Sequence, residues 1–166
     1  EIGGFFTDLF ARRTKRSGAW MDECLIRTDV GRGLQKPVAH LVCNFALPSD
    51  GEQCLLTHDE VVTLFHEFGH TLHHLLTKVD LPSVSGINGV PWDAVELPSQ
   101  FMENFAWNPE VGRAMSGHFE TGEHLPEELI RQLEASRVFQ AGLQMLRQLE
   151  FALFDLRIHS ELTDAD

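Results

Sequence analysis

The sequence predicts an α+β fold, mostly helical, with a small antiparallel sheet in its N-terminal part. Three observations predict it. Residues 38–45 alternate apolar and polar side chains at period two, as a half-buried strand does. From Val61 onward the apolar residues recur at spacings of three and four, the mark of a helix with one buried face. A second stripe of that period begins at Leu129 and reaches Leu156. Short strands followed by long helices, rather than strands alternating with helices, make an α+β arrangement.

The elements follow in order. Phe5, Phe6 and Leu9 form a first apolar run, residues 19–26 a second and 38–45 a third, with Gly, Lys, Arg and Pro between them, so residues 3–47 are strand-rich. In the third run Ala39, Leu41, Cys43 and Phe45 share one face, while Val38, His40, Val42 and Asn44 share the other. A helix start is well marked at Thr57, which with Glu60 makes a capping box, and Leu56 with Val61 supplies the accompanying hydrophobic staple. Val61, Leu64, Phe65, Phe68, Leu72, Leu75 and Leu76 then give an apolar face to about residue 78. Residues 80–92 hold two Gly, two Pro and two Ser and form a loop. A second helix is expected over 93–107. A third, entered through Pro126, carries its leucine stripe as core packing to about residue 160, so 57–160 is helical.

Composition narrows the function. The chain has 166 residues, 13 Lys and Arg against 25 Asp and Glu, and a formal charge of -12. That length suits a single domain over 1–166. The acidic balance excludes a nucleic-acid surface, which needs clustered Lys and Arg, and disfavours an anionic membrane. No apolar run approaches the roughly 20 residues of a spanning helix. Three cysteines, Cys24, Cys43 and Cys54, lack the paired spacing of a disulfide framework, so a reducing cytoplasm is the expected location. Without an initiator Met, the chain reads as a piece of something longer.

The chemistry concentrates on the first helix, in His66-Glu67-Phe68-Gly69-His70. Residues four apart on a helix face the same way, so both imidazoles can converge on one zinc ion at about 2.0–2.1 Å each. Glu67 lies round the helix from His66 and can act as general base toward a water activated by that ion. Solvated histidines on a polar helix face are the bland alternative. The capped, amphipathic helix with the motif at its centre favours the metal.

A third ligand must come from elsewhere, because His74 lies about 12 Å along the axis from His66. Glu96 and Glu103 are seven apart on the returning helix, hence on one face, and spacing does not separate them. Either could ligate while the other supports it. Glu96 also has a structural reading, a capping box with Asp93, and Pro98 obscures the helix start.

The residues from Phe65 to His70, with Val95-Glu96-Leu97-Pro98-Ser99-Gln100-Phe101-Met102-Glu103-Asn104, resemble the M3 family of zinc oligopeptidases. The segments Gly18-Ala19-Trp20-Met21-Asp22, Ser85-Gly86-Ile87-Asn88-Gly89-Val90-Pro91-Trp92-Asp93 and Arg147-Gln148-Leu149-Glu150-Phe151 carry the same likeness, which runs from about residue 3 to the C-terminus. The resemblance implies a zincin-type catalytic core, one zinc ion held by His66, His70 and Glu96, and Glu67 as base and proton shuttle. It implies oligopeptide substrates, cleaved at internal bonds in a channel between two mostly helical halves. Residues 38–45 would match the small sheet whose edge lines that channel and pairs with substrate backbone, or else serve as a packing element. Family members are several hundred residues long, and a later portion carries a Gly-rich loop with His and Tyr residues that touch substrate. This sequence has no Tyr, so those residues are expected to be absent from it, and the remaining segments of the longer protein would be its partners.

Glu103, Asp93, His40, Gly86 and Gly89 are candidates for a supporting or substrate-proximal place, the two glycines through turn geometry in the loop beside the metal. His58, His118, His124 and His159 are surface or core histidines. The leading function is a zinc metallopeptidase that hydrolyses short peptides by metal-activated water; the alternative is a non-catalytic metal-binding or interaction domain. A di-iron bundle would need a second Glu-x-x-His, which is absent. The leucine stripe is apolar enough for self-association if its normal partners are missing.

Overall fold

The computed structural model describes residues 1–29, 31, 33–48 and 53–161. It divides into two compact units, Glu1–His124 and Leu125–Asp166. The first holds strands β1 (Gly4–Phe10), β2 (Trp20–Leu25) and β3 (Val38–Phe45), and helices α1 (His58–Leu75), α2 (Leu97–Ala106) and α3 (Pro109–Met115), with a single 3-10 turn at Pro82–Val84. The second holds α4 (Glu127–Val138) and α5 (Ala141–Ser160). The fold class is α+β and mostly helical. No helix of the described residues is long and apolar enough to cross a membrane.

The sheet is mixed rather than antiparallel throughout. Its order is β1-β3-β2, with β1 parallel and β2 antiparallel to β3. The reason lies in β3, the most apolar strand: Ala39, Leu41, Val42, Cys43 and Phe45 are all buried, so it takes the centre. β1 and β2 flank it instead of pairing with each other. An edge that could receive a peptide therefore belongs to β1 or β2, since β3 is paired on both sides.

The connection after β1 is pinned down by one ammonium. Lys15 Nζ, almost wholly buried, donates to the carbonyls of Asp8 (2.7 Å), Phe10 (3.0 Å) and Cys43, and lies 3.1 Å from Asp8 Oδ1. It closes the β1–β3 pair where the register slips between Asp8 and Phe10.

Helix α1 packs across the inner face of the sheet, where Leu41, Cys43 and Phe45 form a cluster with Leu9, Phe10, Leu64 and Phe68 around it. The capping box is present: Thr57 Oγ1 accepts from the Glu60 N–H, and Glu60 Oε2 accepts from the Thr57 N–H at 2.8 Å.

Helix α2 begins at Leu97, not at 93. Pro98 occupies the first turn, where its missing N–H costs nothing, and residues 91–97 pass through successive turns from Pro91 to Ala94 to Leu97. α3 falls where no helix was expected, capped by Asn108, whose side chain accepts from the Glu110 and Val111 N–H groups. The single long helix expected to 160 is two helices. Phe139 is extended and Gln140 is left-handed at φ +54°, a conformation that ends one helix before the next begins. The leucines of α5 are exposed, not core: Leu143, Leu146, Leu153 and Leu156 are each more than half exposed.

Candidate metal centre

Two helices bring the site together because one residue between them has no side chain. A Cβ on Gly69 would stand 2.5 Å from Ser99 Cα and 2.6 Å from the Pro98 carbonyl oxygen. Only glycine lets the start of α2 lie directly on α1 at the middle of the His-Glu-x-x-His stretch. That approach swings Glu96 and Glu103 over the two histidines.

The carboxylates go to different atoms. Glu96 Oε2 lies 3.1 Å from His66 Nε2 and 3.2 Å from His70 Nε2, while Glu103 Oε1 lies 2.7 Å from His66 Nδ1. Glu96 thus faces the side on which both imidazoles converge, and Glu103 holds the back of one ring. Glu96 does not cap α2 through Asp93. Its Oε2 accepts instead from Ser99 Oγ at 2.7 Å, and Ser99 is fully buried. That hydroxyl holds the Glu96 carboxyl below its ordinary value against the opposing cost of burial, and the two histidines add to the lowering. Burial pushes the His70 imidazole down, partly offset by Glu96.

One ligand atom from each of His66, His70 and Glu96 falls within 4.8 Å of the others. Two ligands bound at about 2.0–2.1 Å on a tetrahedral ion stand about 3.3 Å apart, so the observed separations to Glu96 suit a zinc-sized ion. Two imidazole nitrogens and a carboxylate, with room for a fourth ligand, are the donor set of a catalytic zinc site. The donor set fits.

Glu67 sits below this group and is buried. Burial pushes its carboxyl up, His66 pulls it partly back, and Glu96 adds to the rise. Its Oε2 has no hydrogen-bond partner among the described residues. An unpartnered buried carboxylate oxygen is costly, and a polar ligand at this place would relieve the cost. It opens on a cavity of about 410 Å³ lined by His66, Glu67, His70 and Glu96, by Ala19, Trp20 and Met21 of the strand side, and by Ile87, Trp92 and Val95.

The remaining candidates lie further out. His40 is on the sheet face away from α1, its ring 5.8 Å from that of Phe6, and does not line the cavity. Asp93 is exposed in the turn before α2. Gly86 is packed against the ring of His74, and Gly89, at φ +72°, lies against Ser83 and Val84 in the same loop. His58 stands edge-on to Trp107, and His118, His124 and His159 hydrogen-bond within their own loop or helix. One contributor was not singled out from the sequence: Ser99, whose spacing three beyond Glu96 was a usable signal.

The family profile described as "Peptidase family M3" matches residues 1–165. Over 160 residues the chain is 60% identical to Oligopeptidase A of Escherichia coli K12, covering 96% of this chain and 24% of that protein. It is 48% identical over 165 residues to the Organellar oligopeptidase A, chloroplastic/mitochondrial, of Arabidopsis thaliana, at 96% and 21% coverage. To the Dipeptidyl carboxypeptidase of Escherichia coli K12 it is 40% identical over 155 residues, at 93% and 22%. The chain spans about a quarter of the length of these relatives.

Proposed function

The chain belongs to peptidase family M3, and from that premise we propose that it is the metal-binding part of a zinc oligopeptidase that cuts internal bonds of short peptides. His66, His70 and Glu96 would hold one zinc ion. The observation that carries this reading is the single oxygen, Glu96 Oε2, set 3.1 and 3.2 Å from the two Nε2 atoms. When bound, the ion supplies Lewis acidity, which makes water nucleophilic near neutral pH and polarises the scissile carbonyl.

The chain's own residues supply the rest. Glu67 accepts the proton of the attacking water on the carboxylate that opens toward the cavity and passes it to the leaving amine nitrogen. Burial has already raised its affinity for that proton. Glu103 fixes the ring orientation of His66, and Ser99 fixes the carboxylate of Glu96. An extended peptide would lie along the outer edge of β2, which brings Trp20 and Met21 to the cavity, and add a strand to the sheet. The three cysteines are all free thiols, which suits a cytoplasmic protein.

Two measurements test the reading in the full-length protein. A crystal should show an anomalous peak at the zinc edge among His66, His70 and Glu96; a peak nearer Glu103 than Glu96 overturns the ligand set. Glu67→Gln should keep its zinc and lose about 10²- to 10⁴-fold in turnover of a quenched peptide. Retained turnover removes Glu67 from its role.

A further inference from the structure

The loop between α1 and α2 is hydrogen-bonded to β2 at one place and, at another, packs on a histidine of α1 that is itself bonded to the end of that strand. His74, wholly buried at the end of α1, donates from Nε2 to the Leu25 carbonyl at 3.0 Å. A carbonyl only accepts, so the proton is on Nε2. The other side of the ring presses on the loop: a Cβ at Gly86, where φ is +65°, would stand 2.4 Å from His74 Nδ1. One imidazole thus bridges the last residue of β2 and the loop backbone. Two residues further on, Asn88 Nδ2 donates to Glu23 Oε2 at 2.6 Å.

These ties come at a particular point along the strand. Among the described residues β2 pairs only with β3, so its outer side is an open edge. Its first part, Trp20 and Met21, borders the cavity of the metal group. Further along, the Leu25 carbonyl is already occupied by His74, and the ladder slips between Glu23 and Leu25. The edge is closed at Leu25.

The loop is a partition. Ile87 lines the cavity of the metal group, while Gly86, Asn88 and Gly89 line a separate hollow of about 460 Å³ behind it. With a hollow at its back, the loop is held by the Asn88–Glu23 hydrogen bond and by its packing against the ring of His74.

We propose that residues 85–90 form a stop at the end of the open β2 edge, and that this stop limits how far a bound peptide extends on one side of the scissile bond. The inference rests on the peptidase reading above. His74, Asn88 and Glu23 are positioning residues, and the expected substrate is a short peptide whose length is limited by this stop on one side of the scissile bond.

The test uses the full-length protein with zinc and two series of quenched peptides built on one cleaved core. One series is lengthened residue by residue on the amino side, the other on the carboxyl side. In the wild type, kcat/KM should fall about tenfold past a fixed length in one series only. Asn88→Ala and Glu23→Ala, both at exposed or half-exposed positions, should abolish that fall without altering the other series or the zinc content. Equal length dependence in both wild-type series overturns the stop. So does a variant that shifts both series in proportion, because loosened structure alone would do that. No cleavage of any peptide by the zinc-loaded wild type overturns the peptidase reading and this inference together.

Discussion

Gly69 and Cys43 show how far single positions determine the site. Gly69 is legible in the sequence only as one letter inside a metal motif; its reason is the Ser99 backbone 2.5 Å from where a Cβ would go. Gly69→Ala should lose about 1–3 kcal/mol in urea unfolding of the metal-free protein, despite alanine's better helix propensity, and should weaken zinc binding in a titration by separating α2 from α1. An unchanged zinc affinity would mean that the helices tolerate the methyl. Cys43 is buried in the cluster under α1, and burial pushes its thiol up to about 11, with Glu67 adding to the effect. A thiol so shifted and so covered does not react. Ellman's reagent at pH 8 should therefore titrate two cysteines, Cys24 and Cys54, in the folded chain and the third only after denaturation. At this scale the mutual placement of the histidine pair and Glu67 was legible, because one helix carries all three. The choice between Glu96 and Glu103 could not, because it depends on how α2 crosses α1, which a spacing of seven leaves open.

Among the elements, the strands were legible as strands but not as a sheet. Alternation located 38–45, and its apolar weight put it at the centre, yet the parallel pairing with β1 depends on a connection that no local pattern announces. That connection is the Lys15 clasp. Asp8, hydrogen-bonded first to Arg12 and then to Lys15, has its carboxyl pulled down to about 2 from an ordinary 3.8. A carboxyl lowered in the folded state adds stability above its unfolded value and loses it as pH falls through the folded one. The stability difference between wild type and Asp8→Asn, measured by urea at a series of pH values, should be constant above about pH 5 and shrink toward pH 2. A difference that persists at pH 2 would locate the effect elsewhere. The helices divide in the same way. The capping box at Thr57 predicted the start of α1, while the break at Phe139 and Gln140 carries no Gly or Pro and was invisible in an unbroken apolar stripe.

On the scale of the whole molecule, the exposed apolar surface and the net charge oppose each other. Leu143, Met145, Leu146, Phe154 and Leu156 of α5 are each at least 60% exposed, and Phe101 and Leu97 of α2 are similarly open. A chain of charge -12 resists bringing these faces together with those of a second copy, and salt weakens that resistance. The isolated chain should therefore show a sedimentation mass above 18.8 kDa that rises with ionic strength; a monomer at every salt concentration would show that the exposed surface does not drive association. The acidic balance is legible from composition, whereas the exposure of the α5 stripe is not, because periodicity marks an apolar face without saying what covers it. Gly69 also bears on the order in which the site is assembled. His66 and His70 become neighbours as soon as α1 has formed, which a locally capped helix does early, whereas Glu96 joins them only once the chain has turned back and α2 has docked at the glycine. On the zinc reading, a nascent chain would meet the ion first with two ligands and would retain it when the second helix arrives.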